Sequence, residues 1–316
     1  MNEEVFAEWM RRQGHKVYRT ESSYWYDAGP GVLQAFPYHW IIAPDDREIR
    51  DLLVKKKLLA LRYSAPKDYH EGKMSYHIVM DQYYSLDTLR QKARNGVRRG
   101  LERFRIEEIS FKRLATEGWS IQEDTLLRQN RSRSMTRKDW ELLCTSAAGL
   151  PGIHVYGALA DGELAGALIV CRIGNIYSVP YSLSHCRFLG DHVNNALFFT
   201  VSCKLLQEPG VTGIFFTVQS LDAPVHIDEF KIRMGFTLVP VRQRVAFNPL
   251  LKPFITPGVY RINRKLCERF PSSPTLAKSE GMLRFHLEGL KPLDEQAIPE
   301  FLRQYVSGVN NFLEAV

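Results

Sequence analysis

The sequence predicts an α/β protein with a mixed sheet, and three observations carry that prediction. Apolar runs of strand length in the middle of the chain are joined by hairpin signals, Asp161–Gly162 and Gly174–Asn175, so the strands there pair antiparallel. The segments after them alternate helix, strand, helix and strand. That order, following hairpins, argues against a doubly wound parallel sheet and fits a mixed sheet with a ligand cleft where two strands part. The chain has 316 residues, long for one domain and comfortable for two, and 45% of them are hydrophobic, enough to form a core.

The elements follow in order. EEVFAEWMRRQ is helical by spacing, with Val5, Phe6, Trp9 and Met10 recurring at i, i+3 and i+4. VLQAFPYHWIIAP reads as strands interrupted by Pro37. DDREIRDLLVKKK opens on acids and closes on lysines, the charge order a helix dipole favours. LLALRYSAP and SYHIVMD read as strands. From Leu86 to Arg105 a helical stripe of Leu86, Leu89, Ala93, Val97, Leu101 and Phe104 is set against Arg90, Lys92, Arg94, Arg98, Arg99, Arg103 and Arg105. Gly96 and Gly100 each weaken that helix by about 1 kcal/mol. FKRLA, from Phe111, is a short strand candidate, and helical segments follow over 121–133 and 137–149. Strands are expected over Val155–Ala160, Leu164–Arg172 and Ile176–Leu183, then a helix over Val193–Gln207, a strand from Gly213, a helix through HIDEFKIRM and a last strand up to Phe247.

The net charge of +7 suits a polyanionic partner, but taken alone it reads first as a soluble protein that is simply basic. Five cysteines stand without a CxxC pair, so neither a disulfide framework nor a zinc site reads out, and no metal is expected. The N-terminal segment lacks the basic-then-apolar order of a signal peptide, and no apolar run approaches membrane-spanning length. These features predict a cytoplasmic protein with reduced, mostly buried thiols. GxSxG, HExxH, Walker A and GxGxxG motifs do not occur.

One junction carries candidate chemistry. In SHCRFLGDHVNNALFF, Ser184 to Phe199, a loop leads from a strand into a helix. The first amides of a helix lack internal partners and, with the macrodipole, attract anions. Gly190 allows close backbone approach, and Arg187 can fork onto phosphate oxygens. Asp191 opposes an anion there, and it is equally suited to cap the helix.

RFLGDH, Arg187 to His192, resembles the R/Q-x-x-G-x-G/A loop with which GNAT acyltransferases cradle the pyrophosphate of coenzyme A. Arg187 and Gly190 match, and His192 stands where that superfamily has Gly or Ala. EFKIRMGF, Glu229 to Phe236, is similar to the F-K-x-x-[FM]-G form of the FemAB-like branch, which has Lys where many GNAT enzymes carry Tyr. LRQKARNGVRRGLERFRIEEI resembles the basic helix that links the two domains of that branch. The resemblance covers roughly 85–250. It implies two tandem GNAT-like acyltransferase domains with a C-terminal extension: 1–88 as the first half, 89–110 as the linking helix, 111–252 as the catalytic half and 253–316 as the extension.

The implied activity is transfer of an acyl group to an amine or hydroxyl of a small molecule or cell-envelope precursor. The implied donor is acyl-coenzyme A, bound by Arg187, Phe188, Leu189, Gly190, Asp191, His192 and Val193. The alternative donor is an aminoacyl-tRNA, as used by the peptidyltransferases of the branch. Lys231 would supply charge at the reacting carbonyl. His226 and His192 are the candidate bases, because histidine titrates near neutrality. From another class comes a non-catalytic module that binds RNA or an anionic polymer through the arginine-rich helix, although its charges read first as the solvated face that any surface helix needs.

Overall fold

The computed structural model describes residues 3–81, 83–129, 135–219, 226–271, 273–299 and 302. The elements in chain order begin with α1 (Glu3–Arg12), β1 (Val17–Arg19), β2 (Tyr24–Gly29), β3 (Val32–Phe36), α2 (Asp46–Lys55), β4 (Ala60–Ala65) and β5 (Lys73–Met80). They continue with α3 (Gln91–Arg103), β6 (Arg105–Glu108), α4 (Phe111–Arg128), α5 (Arg137–Ala147), β7 (Ile153–Ala160), β8 (Glu163–Ile173) and β9 (Ile176–Ser184). The last are α6 (Val193–Leu206), β10 (Gly213–Val218), α7 (His226–Arg233), β11 (Thr237–Phe247), α8 (Pro257–Arg269) and α9 (Pro274–Gly289).

Two compact units form, and neither is one continuous stretch of chain. The first comprises Met1–Gly14, Ile78–Thr217 and His226–Thr237; the second comprises His15–His77, Val218–Val225 and Leu238–Val316. In the first, strands run in the order β10-β9-β8-β7-β6. The β6–β7, β7–β8 and β8–β9 pairs are antiparallel and β10 lies parallel to β9, so the sheet is mixed as expected. Asp161 at φ 51° and Gly162 at φ 86° make the predicted tight turn between β7 and β8. α1 joins this unit because its apolar face is buried and Trp9 Nε1 donates to the Leu143 carbonyl of α5 at 3.2 Å.

The second unit has the order β1-β2-β3-β4-β11, again mixed, with β3 parallel to β4 and the other pairs antiparallel. Its core gathers Trp25, Leu33, Leu53, Leu61 and Tyr63 under α2. The C-terminal extension packs into this unit. Leu283 and Phe285 of α9 join Ala60, Val245 and Phe247, and Tyr260 of α8 lies against the same cluster.

Three expectations are corrected. FKRLA is the first turn and a half of the 18-residue α4, not a strand; Ser110 Oγ accepts the Arg113 amide as N-cap, and Leu114, Ile121 and Leu126 are buried along it. That helix ends at Arg128, and residues 130–133 of the expected segment lie outside the described residues. No strand follows Pro37, because β3 ends at Phe36 and the chain turns there. Helix α3 begins at Gln91, so Leu86 and Leu89 precede it, and Leu101 is exposed. Of the five cysteines, Cys144 and Cys171 are buried and Cys186 is exposed.

The face that α3 buries is small: Ala93, Gly96, Val97 and Gly100. A Cβ on Gly100 would stand 2.7 Å from the His192 carbonyl oxygen and 2.9 Å from Ala196 Cβ. The glycines that weaken α3 alone are thus what lets it lie on α6. This inverts an ordinary expectation. Gly→Ala inside a helix stabilises by roughly 1 kcal/mol through propensity. Gly100→Ala should instead destabilise by about 1–3 kcal/mol through overpacking. Gly96→Ala, whose nearest contact at 3.0 Å is the movable Asn195 side chain, should cost less. Urea unfolding of the two variants checks the order.

Candidate active site

In the first unit β10 pairs with β9 only over Gly213↔Ile176, Ile214↔Tyr177 and Phe215↔Ser178. Beyond that point β9 continues to Ser184 and β10 to Val218 without a shared ladder. The shared ladder of these two parallel strands thus ends part-way along both, at the kind of junction where the strand order led us to expect a cleft.

Helix α7 carries Lys231 close to the parting strands. Lys231 is 8% exposed, and its ammonium donates to Asp228 Oδ1 at 2.7 Å and stands 4.8 Å from the centre of the Phe216 ring on β10. Burial pulls the Lys231 pKa below the ordinary lysine value, and the Asp228 carboxylate opposes that pull. Phe216 belongs to an aromatic cluster, with Phe198 at 4.9 Å and Phe236 at 5.6 Å, and Phe230 packs 5.3 Å from Phe198. A buried cation against an aromatic wall, held by one carboxylate, is costly unless it is fully paired.

The MGF end of the motif has a local reason. Gly235 stands at φ 86° and its amide donates to the Ile232 carbonyl, while the Phe236 amide donates to the Lys231 carbonyl at 3.1 Å. This paired closure with a left-handed glycine is a Schellman C-cap. It ends α7 one turn after Lys231 and turns Phe236, 2% exposed, into the aromatic cluster. His226 opens α7, and its side chain lies outside the described residues.

The loop before α6 has a different electrostatic character from that of a bare phosphate cradle. Arg187 is ion-paired with Glu163 of β8 and lies 4.4 Å over the Phe188 ring. Phe188 is buried and packs edge-on to Phe104 at 5.7 Å, and Leu189 lies partly buried beside it. Gly190 is exposed and lacks a left-handed φ, and a Cβ there meets nothing within 4 Å, so this backbone does not require glycine. The helix N-cap is His192 at φ 63°, ψ 32°, without a side-chain cap bond, and not Asp191. Val193 is fully buried. A cavity of about 410 Å³ opens beside the loop, lined by Arg103, Asp161, Glu163, Arg187, Phe188 and Asp191. Arg103 pairs with Asp161 at 2.8 Å, so both arginines of this cavity already face carboxylates.

Asp124, His185 and Cys186 bring their donor atoms within 4.8 Å of one another at the start of this loop. Asp124 Oδ2 accepts the Cys186 amide at 2.8 Å and the Arg128 guanidinium at 3.0 Å, an arrangement that anchors the loop to α4. The sequence reading missed this anchor and missed Phe216. It also missed the Lys231–Asp228 ion pair, although the two stand at the i, i+3 spacing that such pairs use.

No family model and no curated protein matches this chain. Solved structures do. FemX superposes with a TM-score of 0.52 at 12% identity, over 78% of this chain and 92% of its own. A conserved protein of unknown function from Bacteroides thetaiotaomicron gives 0.54 at 10% identity, over 77% and 88%. A tandem GNAT protein from the clavulanic acid biosynthesis pathway gives 0.44 at 14% identity, over 73% and 81%. The class defined here is the GNAT-like α/β fold with a mixed sheet. FemX shares this fold over most of both chains. Among the described residues no helix is long and apolar enough to cross a membrane.

Proposed function

We propose that this protein is an acyltransferase that moves an acyl group onto an amine, or a hydroxyl, of a small molecule or cell-envelope precursor. The observation that carries the reading is Lys231, an ammonium buried beside diverging parallel strands and held by Asp228. Fixed positive charge in a dry site stabilises the oxyanion of acyl transfer more than water does. Residues 1–88 and 111–252 are the two GNAT-like halves in this reading and 89–110 their basic link. By their contacts residues 1–14 group with the catalytic half and residues 238–252 with the other. His192 and His226 are the candidate bases.

Acyl-coenzyme A as donor requires Arg187 to Val193 to hold a pyrophosphate. The three carboxylates around the neighbouring cavity, Asp161, Glu163 and Asp191, oppose that anion, and they favour the second donor, an aminoacyl-tRNA. Its phosphates suit the exposed Lys92, Arg98 and Arg99 of α3.

A thermal-shift titration decides between the donors. Any ligand at 100 times its Kd should stabilise by about 2.7 kcal/mol. We expect no shift with coenzyme A or its acyl esters, and a salt-sensitive shift with an aminoacylated tRNA acceptor stem that weakens in Arg98→Glu/Arg99→Glu. An upward shift with acyl-coenzyme A that Arg187→Glu abolishes would reverse the choice of donor.

A further inference from the structure

The second unit contains a helix, α8, whose outward side is not that of an ordinary surface helix. α8 has no buried residue, and three sides can be told apart along it. One side faces the unit: Tyr260 OH donates to Glu280 at 3.1 Å, Asn263 Nδ2 donates to Ser279 Oγ at 2.7 Å, and Cys267 lies partly buried beside them. A second side is apolar and open. Val259, Ile262 and Leu266 recur at helical spacing, Phe270 follows at the C-cap, and all four are exposed, Ile262 by 62%. In the turn leading into the helix Leu250, 78% exposed, and Phe254, 68% exposed, also present apolar side chains to solvent. The third side is basic. Arg261, Lys265 and Arg269 stand exposed along it, and Lys252 and Arg264 are exposed near by. Glu268 is the one acid in α8, and it pairs with Arg264 at 3.4 Å.

Single exposed apolar residues need no explanation, but a contiguous row of them rimmed by cations does. We infer that α8 and the turn before it form a docking surface for an anionic lipid bilayer, with the apolar stripe at the acyl boundary and the lysines and arginines among the headgroups. Such division into an apolar and a basic side is what an interfacial helix requires. Charge decides between this occupant and a second copy of the chain. Two copies meeting through α8 would bring their own cations together, whereas an anionic headgroup layer is complementary to them. Because α9 fastens α8 to the unit, the helix is held in place before it meets lipid, which lowers the ordering cost of binding. The inference does not rest on the transferase reading.

Flotation of the full chain with vesicles tests it. The protein should rise with vesicles of mixed phosphatidylglycerol and phosphatidylcholine, and bind roughly tenfold or more weakly to phosphatidylcholine alone. Phe254→Ser/Ile262→Ser should reduce binding to the mixed vesicles by roughly tenfold or more. Lys265→Gln/Arg269→Gln should reduce it to a similar degree at low salt, with less remaining sensitivity to added salt. All four side chains are exposed, so circular dichroism and melting should not change with either pair. Failure of the wild type to float with anionic vesicles would overturn the inference. So would flotation indifferent to Phe254 and Ile262. Concentration-dependent dimerisation lost in Phe254→Ser/Ile262→Ser would assign the face to a second copy instead.

Discussion

Lys231→Met is expected to lower acyl transfer by roughly 10²–10³-fold, the loss typical when one preorganised oxyanion donor is removed. The same substitution has a structural cost that must be separated from the chemical one. Asp228 is 9% exposed and would lose the ammonium 2.7 Å away. Breaking a buried pair by deleting one partner costs about 3–5 kcal/mol, because the other charge stays behind. Replacing both partners by apolar groups of similar volume is often neutral or stabilising. Lys231→Met/Asp228→Leu should therefore recover most of the urea stability lost by Lys231→Met and recover none of the transfer rate. A double variant that folds and keeps its rate within about threefold of the wild type would remove Lys231 from the chemistry. The pH profile gives a second readout. Burial lowers the lysine pKa, so the charged form and the activity that needs it should disappear at a lower pH than for an ordinary lysine.

How far the sequence reveals the site depends on the range over which its determinants act. The hairpins over 153–184 were legible because turn chemistry is local: Asp161 and Gly162 take the positive φ values that the dipeptide implies. The pairing of Lys231 with Asp228 and the glycine C-cap at Gly235 are also local, within one helical turn. What failed to show depends on distant chain. Arg187 matches a phosphate-loop pattern, yet its partner Glu163 comes from the first residue of β8 and only the pairing of β8 with β9 brings the two together. FKRLA has apolar spacing short enough for either period, and the Ser110 cap with the 18-residue length settles it. Gly96 and Gly100 looked like defects in α3 because their value lies on α6, nearly a hundred residues downstream. Phe216 is one more apolar residue of a strand until α7 sets an ammonium over it.

The second large effect concerns the other unit and stability rather than chemistry. His77 is 2% exposed, with Nε2 2.8 Å from Ser64 Oγ, and burial pulls its pKa down to about 3, with nearby His39 adding to the shift. Burial also holds His39 down at about 4. Both rings are neutral in the folded protein well below the unfolded value near 6.5, so as pH falls the unfolded chain takes up protons first. Their contribution to stability is complete above pH 6.5 and declines as acid is added, until His39 protonates near 4 and His77 near 3. Between pH 7 and pH 5 each ring should cost about 2 kcal/mol, some 4 kcal/mol together, against a total stability of roughly 5–15 kcal/mol. His286, also pulled down by burial, acts in the same direction. Urea midpoints at pH 7 and pH 5 should therefore differ sharply for the wild type. His77→Gln, which keeps a hydrogen-bonding amide for Ser64 and does not titrate, should lose about 2 kcal/mol less over the same interval. An equal loss in both proteins would mean that His77 is not buried in its neutral form, and that acid acts on this unit through its carboxylates instead.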